Sequence, residues 1–229
     1  MATAFAPQEM TTDPGPPRLG EDSPFSYACR RCSRCCTGKL IQVNPYELAR
    51  LARNRGIEAA EFRALYTDGA RLNQDGEGRC VFLGEAGCTV HADRPLVCRL
   101  FPLGRIIDET GDVRYVLPGF SPPPAGDFGE AGRVIDYVTA QGAAPFIAAA
   151  DAYFDWYCRA RGADPQALDA LAGEDDPLDL DRQVAAWCRR TGAEPPADLD
   201  QGCRLHIRIL HRLIDEEGAE DDEEHDRQA

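Results

Sequence analysis

Four of the ten cysteines in this 229-residue chain fall within eight residues near its N-terminus. They follow the pattern Cys29-x-x-Cys32-x-x-Cys35-Cys36. The C-x-x-C spacing lets two thiolates turn onto one metal ion, and here a third cysteine and its neighbour extend it. If the segment were helical, successive residues would rotate by about 100°, so Cys35 and Cys36 would serve different ions or different edges of a cluster. The pattern predicts a metal site.

A second group of cysteines lies further along the chain, at Cys80, Cys88 and Cys98. Two glycines between Cys80 and Cys88 predict a turn that brings these two sulfurs together as a hairpin-like clip. Pro95 can open a short helix that presents Cys98. We therefore expect seven thiols to converge from separate parts of the fold.

The N-terminal sequence has neither the basic segment nor the apolar segment that opens a signal peptide. No run approaches the roughly 18 to 20 apolar residues that span a bilayer. The sequence therefore predicts a soluble protein of the cytoplasm, with no membrane partner. In that reducing compartment a dense cysteine pattern favours metal binding over disulfides.

Charge is unevenly distributed along the chain. Overall, 25 basic and 39 acidic residues give a formal net charge of −14, which argues against nucleic acid as a partner. Residues 25–105 nevertheless hold 13 basic and 8 acidic residues, so the cysteine-rich part carries +5. Seven thiolates would bring about seven negative charges, more than one or two divalent ions cancel.

Arginines close to the cysteines are the candidates for offsetting that charge. We expect Arg94 and Arg99, which flank Cys98, to stand beside the metal ligands and donate hydrogen bonds to sulfur, tuning affinity and potential. For Arg30 and Arg31 a solvated surface position is an equal alternative.

The predicted fold class is α+β and mostly helical. A small cysteine-rich metal-binding domain with a short antiparallel hairpin precedes a C-terminal helical module. The predicted parts are a disordered lead-in over 1–24, the metal-binding domain over 25–118, the helical module over 130–217 and an acidic disordered tail over 218–229.

Within these parts, turn and capping signals predict individual elements. Helices are expected over about 45–54, 58–66, 130–140, 145–160, 177–190 and 197–217, and the hairpin over 105–117. Cys80 to Leu83 is expected to join the hairpin in one small sheet. Residues 118–129, rich in proline and glycine, predict a stiff linker.

The ligand count leaves the metal open. Zinc favours four thiolates, so seven cysteines could hold two ions that share bridging sulfurs. A [4Fe-4S] cluster needs four and leaves three over. Cys158 or His91 could supply a further ligand, although a buried apolar cysteine and a hydrogen-bonded histidine are the plainer interpretations. Cys188 and Cys203 are expected in the core.

Taken in order, the cysteines and their neighbours form one extended motif. It reads Cys29-x2-Cys32-x2-Cys35-Cys36, Cys80-x-Phe82-Leu83, Cys88-Thr-Val and Arg94-Pro95-x2-Cys98-Arg99-x-Phe101-Pro102. This motif resembles that of the YkgJ-type cysteine-cluster family, described as a zinc- or iron-chelating domain. The resemblance implies zinc, iron or an iron-sulfur cluster held by the seven cysteines. Many relatives continue with a Cys-Arg-Gly-like segment after the Phe-Pro, and a ligand from that segment is missing here.

Two functions from different classes follow. The first is a metal-binding protein whose site serves metal handling, redox chemistry or structural support, with the helical module offering a surface to a protein partner. The alternative is an iron-sulfur-dependent enzyme that modifies a protein side chain, since flagellin lysine methylases carry a similar cysteine cluster. The chain lacks phosphate-binding glycine loops, H-E-x-x-H and the Cys-x3-Cys-x2-Cys run of radical S-adenosylmethionine enzymes, which favours the first. A zinc-stabilised interaction module is a third possibility.

Overall fold

The structure is a computed structural model that describes residues 17–107, 111–119, 123–163 and 176–228. The described residues form seven α-helices and nine short strands, and the fold is α+β and mostly helical. The helices are α1 (Pro45–Arg55), α2 (Ala59–Tyr66), α3 (Leu96–Leu100), α4 (Val134–Ala140), α5 (Ala144–Ala163), α6 (Leu180–Thr191) and α7 (Leu199–Gln228). None of them combines the length and apolar character needed to cross a bilayer.

Helix α1 begins and ends where its capping residues predict. Asn44 accepts a hydrogen bond from the backbone of Glu47, whose carboxylate accepts one from the backbone of Asn44 in return, and Pro45 fills the first helical position. Gly56 closes the helix in the left-handed conformation. The first helix of the predicted metal-binding domain is thus confirmed.

The strands are short and form four separate sheets, one of three strands and three of two. They are β1 (Arg18–Leu19), β2 (Pro24–Cys29), β3 (Thr67–Asp68), β4 (Arg71–Leu72), β5 (Leu83–Gly84), β6 (Gly87–Cys88), β7 (Gly104–Ile107), β8 (Val113–Val116) and β9 (Gly126–Arg133). The predicted hairpin is confirmed as the antiparallel pair β7 and β8. Its third strand is β1, from the segment predicted as a disordered lead-in, whereas Leu83 pairs with Cys88 and does not join the hairpin.

The segment predicted as a linker differs most from expectation. Gly126–Arg133 forms strand β9, which pairs antiparallel with β2, and the helix predicted from residue 130 begins at Val134. Glycines make the pairing possible: a side chain at Gly126 would collide with the Tyr27 ring, and one at Gly129 would stand 2.8 Å from the Ser26 hydroxyl. The chain after the hairpin therefore returns to the cysteine-rich part.

Helix α1 lies between two hydrophobic clusters. On one side, Tyr46 and Ala49 pack with residues of α5, α6 and α7 in the largest cluster. On the other, Leu48 and Leu51 pack with α2, and Cys80, Cys88 and Cys98 lie against this second cluster. Helix α1 thus packs against both the helical module and the cysteine-rich part.

The C-terminal helix is longer than its amphipathic pattern. The apolar stripe predicts a helix to residue 217, but α7 continues to Gln228 through the segment predicted as a disordered tail. The added residues continue the hydrogen-bond pattern of the same helix, which satisfies their backbone. Residues 1–16 of the predicted lead-in lie outside the described residues.

Candidate metal centre

Six of the seven predicted ligands line one cavity of about 190 Å³. They are Cys29, Cys35, Cys36, Cys80, Cys88 and Cys98. All ten cysteines of the chain lie in the described residues, and each is a free thiol. The structure thus brings together residues that are up to 69 positions apart in the sequence, as the motif predicted. The seventh predicted ligand, Cys32, is not part of the cavity wall.

A loop, rather than a helix, presents the first cysteine group. Cys29 ends β2, and only the 3₁₀ turn Arg34–Cys36 is helical. Arg31 and Ser33 take positive φ angles of 51° and 59°, which interrupt any continuous helix. The side-chain directions expected of a helix therefore do not apply here.

Cys35 and Cys36 are close enough to share one metal ion. Their Sγ atoms are 3.7 Å apart. In a tetrahedral zinc site with Zn–S bonds of about 2.3 Å, neighbouring sulfurs are separated by about 3.8 Å. The expectation that these two cysteines serve different ions or different edges of a cluster rested on helical rotation, which the loop does not provide, and their spacing also suits two ligands of one ion.

The second cysteine group takes the predicted shape. Strands β5 and β6 form the expected clip between Cys80 and Cys88. The Cys80 amide donates to the Cys36 carbonyl over 2.8 Å, which joins the two cysteine groups through the backbone. The short helix α3, entered from Pro95, carries Cys98 into the same cavity. Three unrelated local structures therefore deliver the sulfurs.

Sulfur ligands suit a thiophilic metal, but the sulfur atoms are not arranged around a single metal position. Within the described residues, no three histidine, cysteine or acidic side chains are arranged to hold a metal ion as they stand. Each cysteine side chain turns about a single torsion with three staggered positions. Coordination would therefore require thiols to rotate inward, with Cys35 and Cys36 already correctly spaced for a shared ion.

The thiols differ in how easily they ionise. A hydrogen bond from the Cys36 thiol lowers the pKa of Cys35 to about 6, and the same contact raises the pKa of Cys36. Burial raises the pKa values of Cys80, Cys88 and Cys98. Because metals bind thiolates, an incoming cation would have to displace protons from these buried thiols.

Basic groups surround the cavity, as the charge pattern predicted. Arg94 and Arg99 both line it, and the positive charge of Arg94 helps to lower the pKa of Cys35. Lys39, which the motif did not single out, acts on Cys35 in the same direction, and its ammonium lies 3.7 Å from the Phe101 ring centroid. The effect of Lys39 on Cys35 follows from their proximity in the fold and could not be predicted from sequence spacing.

The hydrogen bonds of the two arginines correct one expectation. Arg94 donates to the His91 carbonyl and to the Gln141 side chain, and Arg99 donates to the carbonyls of Ala92 and Gln141. Neither donates to sulfur in the described part of the chain. Both guanidinium groups instead hold backbone carbonyls in place, and Arg94 also holds the Gln141 side chain.

Cys32 is partly buried but does not line the cavity. Its sulfur accepts a hydrogen bond from the Ala125 amide over 3.3 Å. Burial would raise the pKa of Cys32, but amide hydrogen bonds from Arg34 and Ala125 outweigh that effect and lower it. Ala125 belongs to the segment predicted as a linker, which explains why sequence spacing did not find this contact.

The other candidate ligands separate by location. His91 lines the cavity, and burial together with nearby arginines lowers its pKa. Cys158 is exposed on α5, so it is not buried as expected, and it is not part of the cavity wall. Cys188 and Cys203 are buried in the helical module, as predicted.

A buried carboxylate that the sequence did not mark as special supports the helix carrying Cys98. Glu47 is only 4% exposed. One of its oxygens accepts from the Asn44 amide, and the other accepts from the Leu96 amide over 2.7 Å at the start of α3. Its capping-box position could have been anticipated, but not its second partner 49 residues away.

The sequence model of one protein family matches residues 28–114, the part of the chain that holds all seven of these cysteines. It is the CxxCxxCC family, whose description is "Putative zinc- or iron-chelating domain". A search of curated proteins and a search of solved structures found no match. The resemblance to a cysteine-cluster family is confirmed over this segment, and it supports chelation without distinguishing zinc from iron.

Proposed function

We propose that this chain is a metal-binding protein that holds zinc, iron or an iron-sulfur cluster through thiolates of its cysteine cavity. The observation that carries the proposal is the convergence of six free thiols on one cavity of about 190 Å³. If these six thiols served only to pack the core, we would expect them to be fully buried, but each is at least partly exposed. Thiolates, by contrast, are the preferred ligands of zinc and of iron-sulfur clusters.

The proposed ligands are the seven cysteines of the motif. Arg94 and Arg99 take the role of positive charges beside them, since both line the same cavity. Their charge offsets part of the negative charge that several thiolates would add. The proposal includes a reducing compartment, the cytoplasm, because free thiols this close together persist only where disulfides do not form.

The test is anaerobic purification followed by metal analysis, sulfide analysis and visible absorption. We expect at least one zinc or iron ion per chain. A brown protein containing iron and sulfide would assign a cluster, and a colourless protein containing zinc would assign thiolate zinc. A chain that stays folded and free of both metals after reconstitution with each would overturn the proposal.

The same experiment bears on the enzyme alternative. An iron-sulfur-dependent modification of a protein side chain requires the brown form, so a colourless zinc protein would remove it. The helical module would then supply support for the metal site or a surface for a protein partner.

A further inference from the structure

A second cleft, of about 570 Å³, lies in the helical module between α5 and α7, against Tyr46 of α1. It shares no lining residue with the cysteine cavity. Its volume falls within the range of about 300–1,000 Å³ that is typical of small-molecule sites. The chemistry of its lining residues indicates which class of molecule it can hold.

Small apolar side chains keep this cleft open. Helix α5 lines it with Ala148, Ala149 and Ala152, which lie three or four residues apart and so share one face of the helix. Cys203 and Ile207 of α7 add to the apolar lining. Alanine leaves room at these α5 positions that a larger side chain would fill. This part of the cleft can therefore pack against the apolar body of a ligand.

The positive charge of the cleft comes from two exposed arginines of α7, Arg204 and Arg208. They are four residues apart, so they are neighbours on the helix surface, and the repulsion between their like charges disfavours the helix. Neither guanidinium forms an ion pair or hydrogen bond with another residue in the part of the chain that the structure describes. An anion bound between them would remove this repulsion.

Arginines elsewhere in the chain have acidic partners. Arg53 and Arg105, for example, each donate to an aspartate over 2.7 Å. Acidic side chains are abundant, since the chain carries a formal net charge of −14. The positive charge of Arg204 and Arg208 thus remains available to a bound anion.

The one acidic residue among those lining the cleft, Asp200, already has a hydrogen-bond donor. Its carboxylate accepts from the Tyr46 hydroxyl over 2.7 Å, and that hydroxyl accepts from Arg50 over 2.9 Å. Tyr46 is only 1% exposed, so this contact lies at the buried end of the cleft, away from the exposed arginines. Two arginines and one aspartate give the lining a formal charge of +1.

We propose that this cleft binds a small organic phosphate, namely a phosphate monoester with an apolar body. Arg204 and Arg208 donate to the phosphate oxygens, which the planar guanidinium group matches well. A phosphate monoester carries a charge of about −1.5 to −2 at pH 7, so it suits two cationic side chains better than a singly charged carboxylate does. Its apolar body packs on the alanines of α5 and on Ile207.

The first test is isothermal titration calorimetry of the full chain with 1-naphthyl phosphate. Arg204→Gln with Arg208→Gln removes the two charges of the cleft, and both positions are exposed, so the fold should be retained. Arg189→Gln with Arg212→Gln is the matched control, because it removes the same charge from exposed positions of the module outside the cleft. We expect the cleft variant to bind about tenfold more weakly or worse, as is typical when charge-assisted hydrogen bonds are lost. The control should bind like the parent.

Two further probes separate the head group of the ligand from its body. Inorganic phosphate lacks the apolar body, and 1-naphthoate has a carboxylate in place of the phosphate. We expect each to bind more weakly than 1-naphthyl phosphate. Ala148→Phe, a change at an exposed position, places a ring in the apolar part of the cleft. It should weaken binding of 1-naphthyl phosphate and leave binding of inorganic phosphate unchanged.

Thermal unfolding of each variant confirms that it is folded before binding is compared. A folded parent chain that shows no saturable binding of 1-naphthyl phosphate at millimolar concentrations would overturn the proposal. Equal weakening in the two arginine variants would do so too, because binding would then follow overall charge. Inorganic phosphate or 1-naphthoate binding as tightly as 1-naphthyl phosphate would contradict the assigned ligand class.

Discussion

The two cysteine-containing regions of this chain use the same residue type in opposite ways. In the helical module, Cys188 and Cys203 are buried among apolar side chains of α6 and α7, where a cysteine behaves as a small hydrophobic residue. In the cysteine-rich part, seven thiols lie on loops, a 3₁₀ turn, strand ends and a five-residue helix, and six of them line one cavity. Surroundings, not residue type, therefore decide what a cysteine does.

The contrast extends to what holds each region together. Long helices of the module bury continuous apolar stripes, which supply hydrophobic free energy without a ligand. The ladders of the cysteine-rich part are two to four residues long, apart from the pair of β2 and β9. Short ladders add little stability on their own, so we expect bound metal to contribute to folding there and not in the module.

The largest expected effect comes from exchanging one sulfur for oxygen in each region. Cys98→Ser removes a cavity ligand, so we expect loss of most bound metal and of the stability that the metal supplies. Cys203→Ser changes a buried residue outside the cavity and should leave the metal content unchanged. Metal analysis of both purified variants measures the difference in metal content. Equal metal content in the two variants would contradict the distinction between the regions.

A cavity created by substitution in each hydrophobic cluster should lower stability in both cases but weaken metal retention in only one. Leu210 and Leu51 are both 0% exposed, one in the cluster of the module and the other in the cluster behind the thiols. Each substitution to alanine should cost about 2–5 kcal/mol of stability. Leu51→Ala should also weaken metal retention against a chelator, whereas Leu210→Ala should not. Chelator competition followed by thermal unfolding checks this, and metal loss in both variants would argue that the regions act as one.

A buried histidine should make the module sensitive to acid. His206 is 0% exposed, and burial lowers its pKa to about 4. An unfolded histidine has a pKa of about 6.5, so between those values the unfolded chain binds a proton that the folded chain does not. Stability should therefore fall on acidification from about pH 6.5 to pH 4, by about 3 kcal/mol at most.

The two tryptophans, Trp156 and Trp187, lie in α5 and α6, so their fluorescence follows unfolding of the module. Urea midpoints of the parent and of His206→Gln, measured at about pH 7 and pH 5, isolate the contribution of this histidine. The parent should lose more stability than the variant. The same loss in both would assign the acid sensitivity to other groups.

The smallest expected effect comes from a change in α1, the helix that packs against both regions. Asn44→Ala removes the side chain that caps α1, at a cost of about 1 kcal/mol. Because α1 contacts both hydrophobic clusters, the thermal transition of each region should shift downward together. Differential scanning calorimetry of the metal-loaded protein measures both shifts, and a shift confined to one region would show that α1 belongs to that region alone.

Features set by neighbouring residues were predictable from the sequence. The cap of α1 at Asn44 and Pro45, the hairpin of β7 and β8, and the clip between Cys80 and Cys88 all follow from turn and capping rules. The convergence of the two cysteine groups was predictable too, because thiols that share a metal must meet.

Features set by distant partners were not predictable. Strand β9 contains three glycines and charged residues, a composition with low strand propensity, and it becomes a strand only because β2 offers a partner about one hundred positions earlier. The same pairing delivers the Ala125 amide to Cys32. Likewise, the Glu47 carboxylate accepts a hydrogen bond from the Leu96 amide at the start of α3, and no local sequence pattern predicts this contact.

The account depends most on sulfur ligation of a metal ion by the cysteine cavity. X-ray absorption at the edge of the metal that copurifies with the full chain measures its nearest neighbours directly. We predict a shell dominated by sulfur at about 2.3 Å, with four sulfurs per zinc ion or with additional iron neighbours if the site holds a cluster. A shell made of nitrogen and oxygen alone would contradict the assignment of the thiols as ligands.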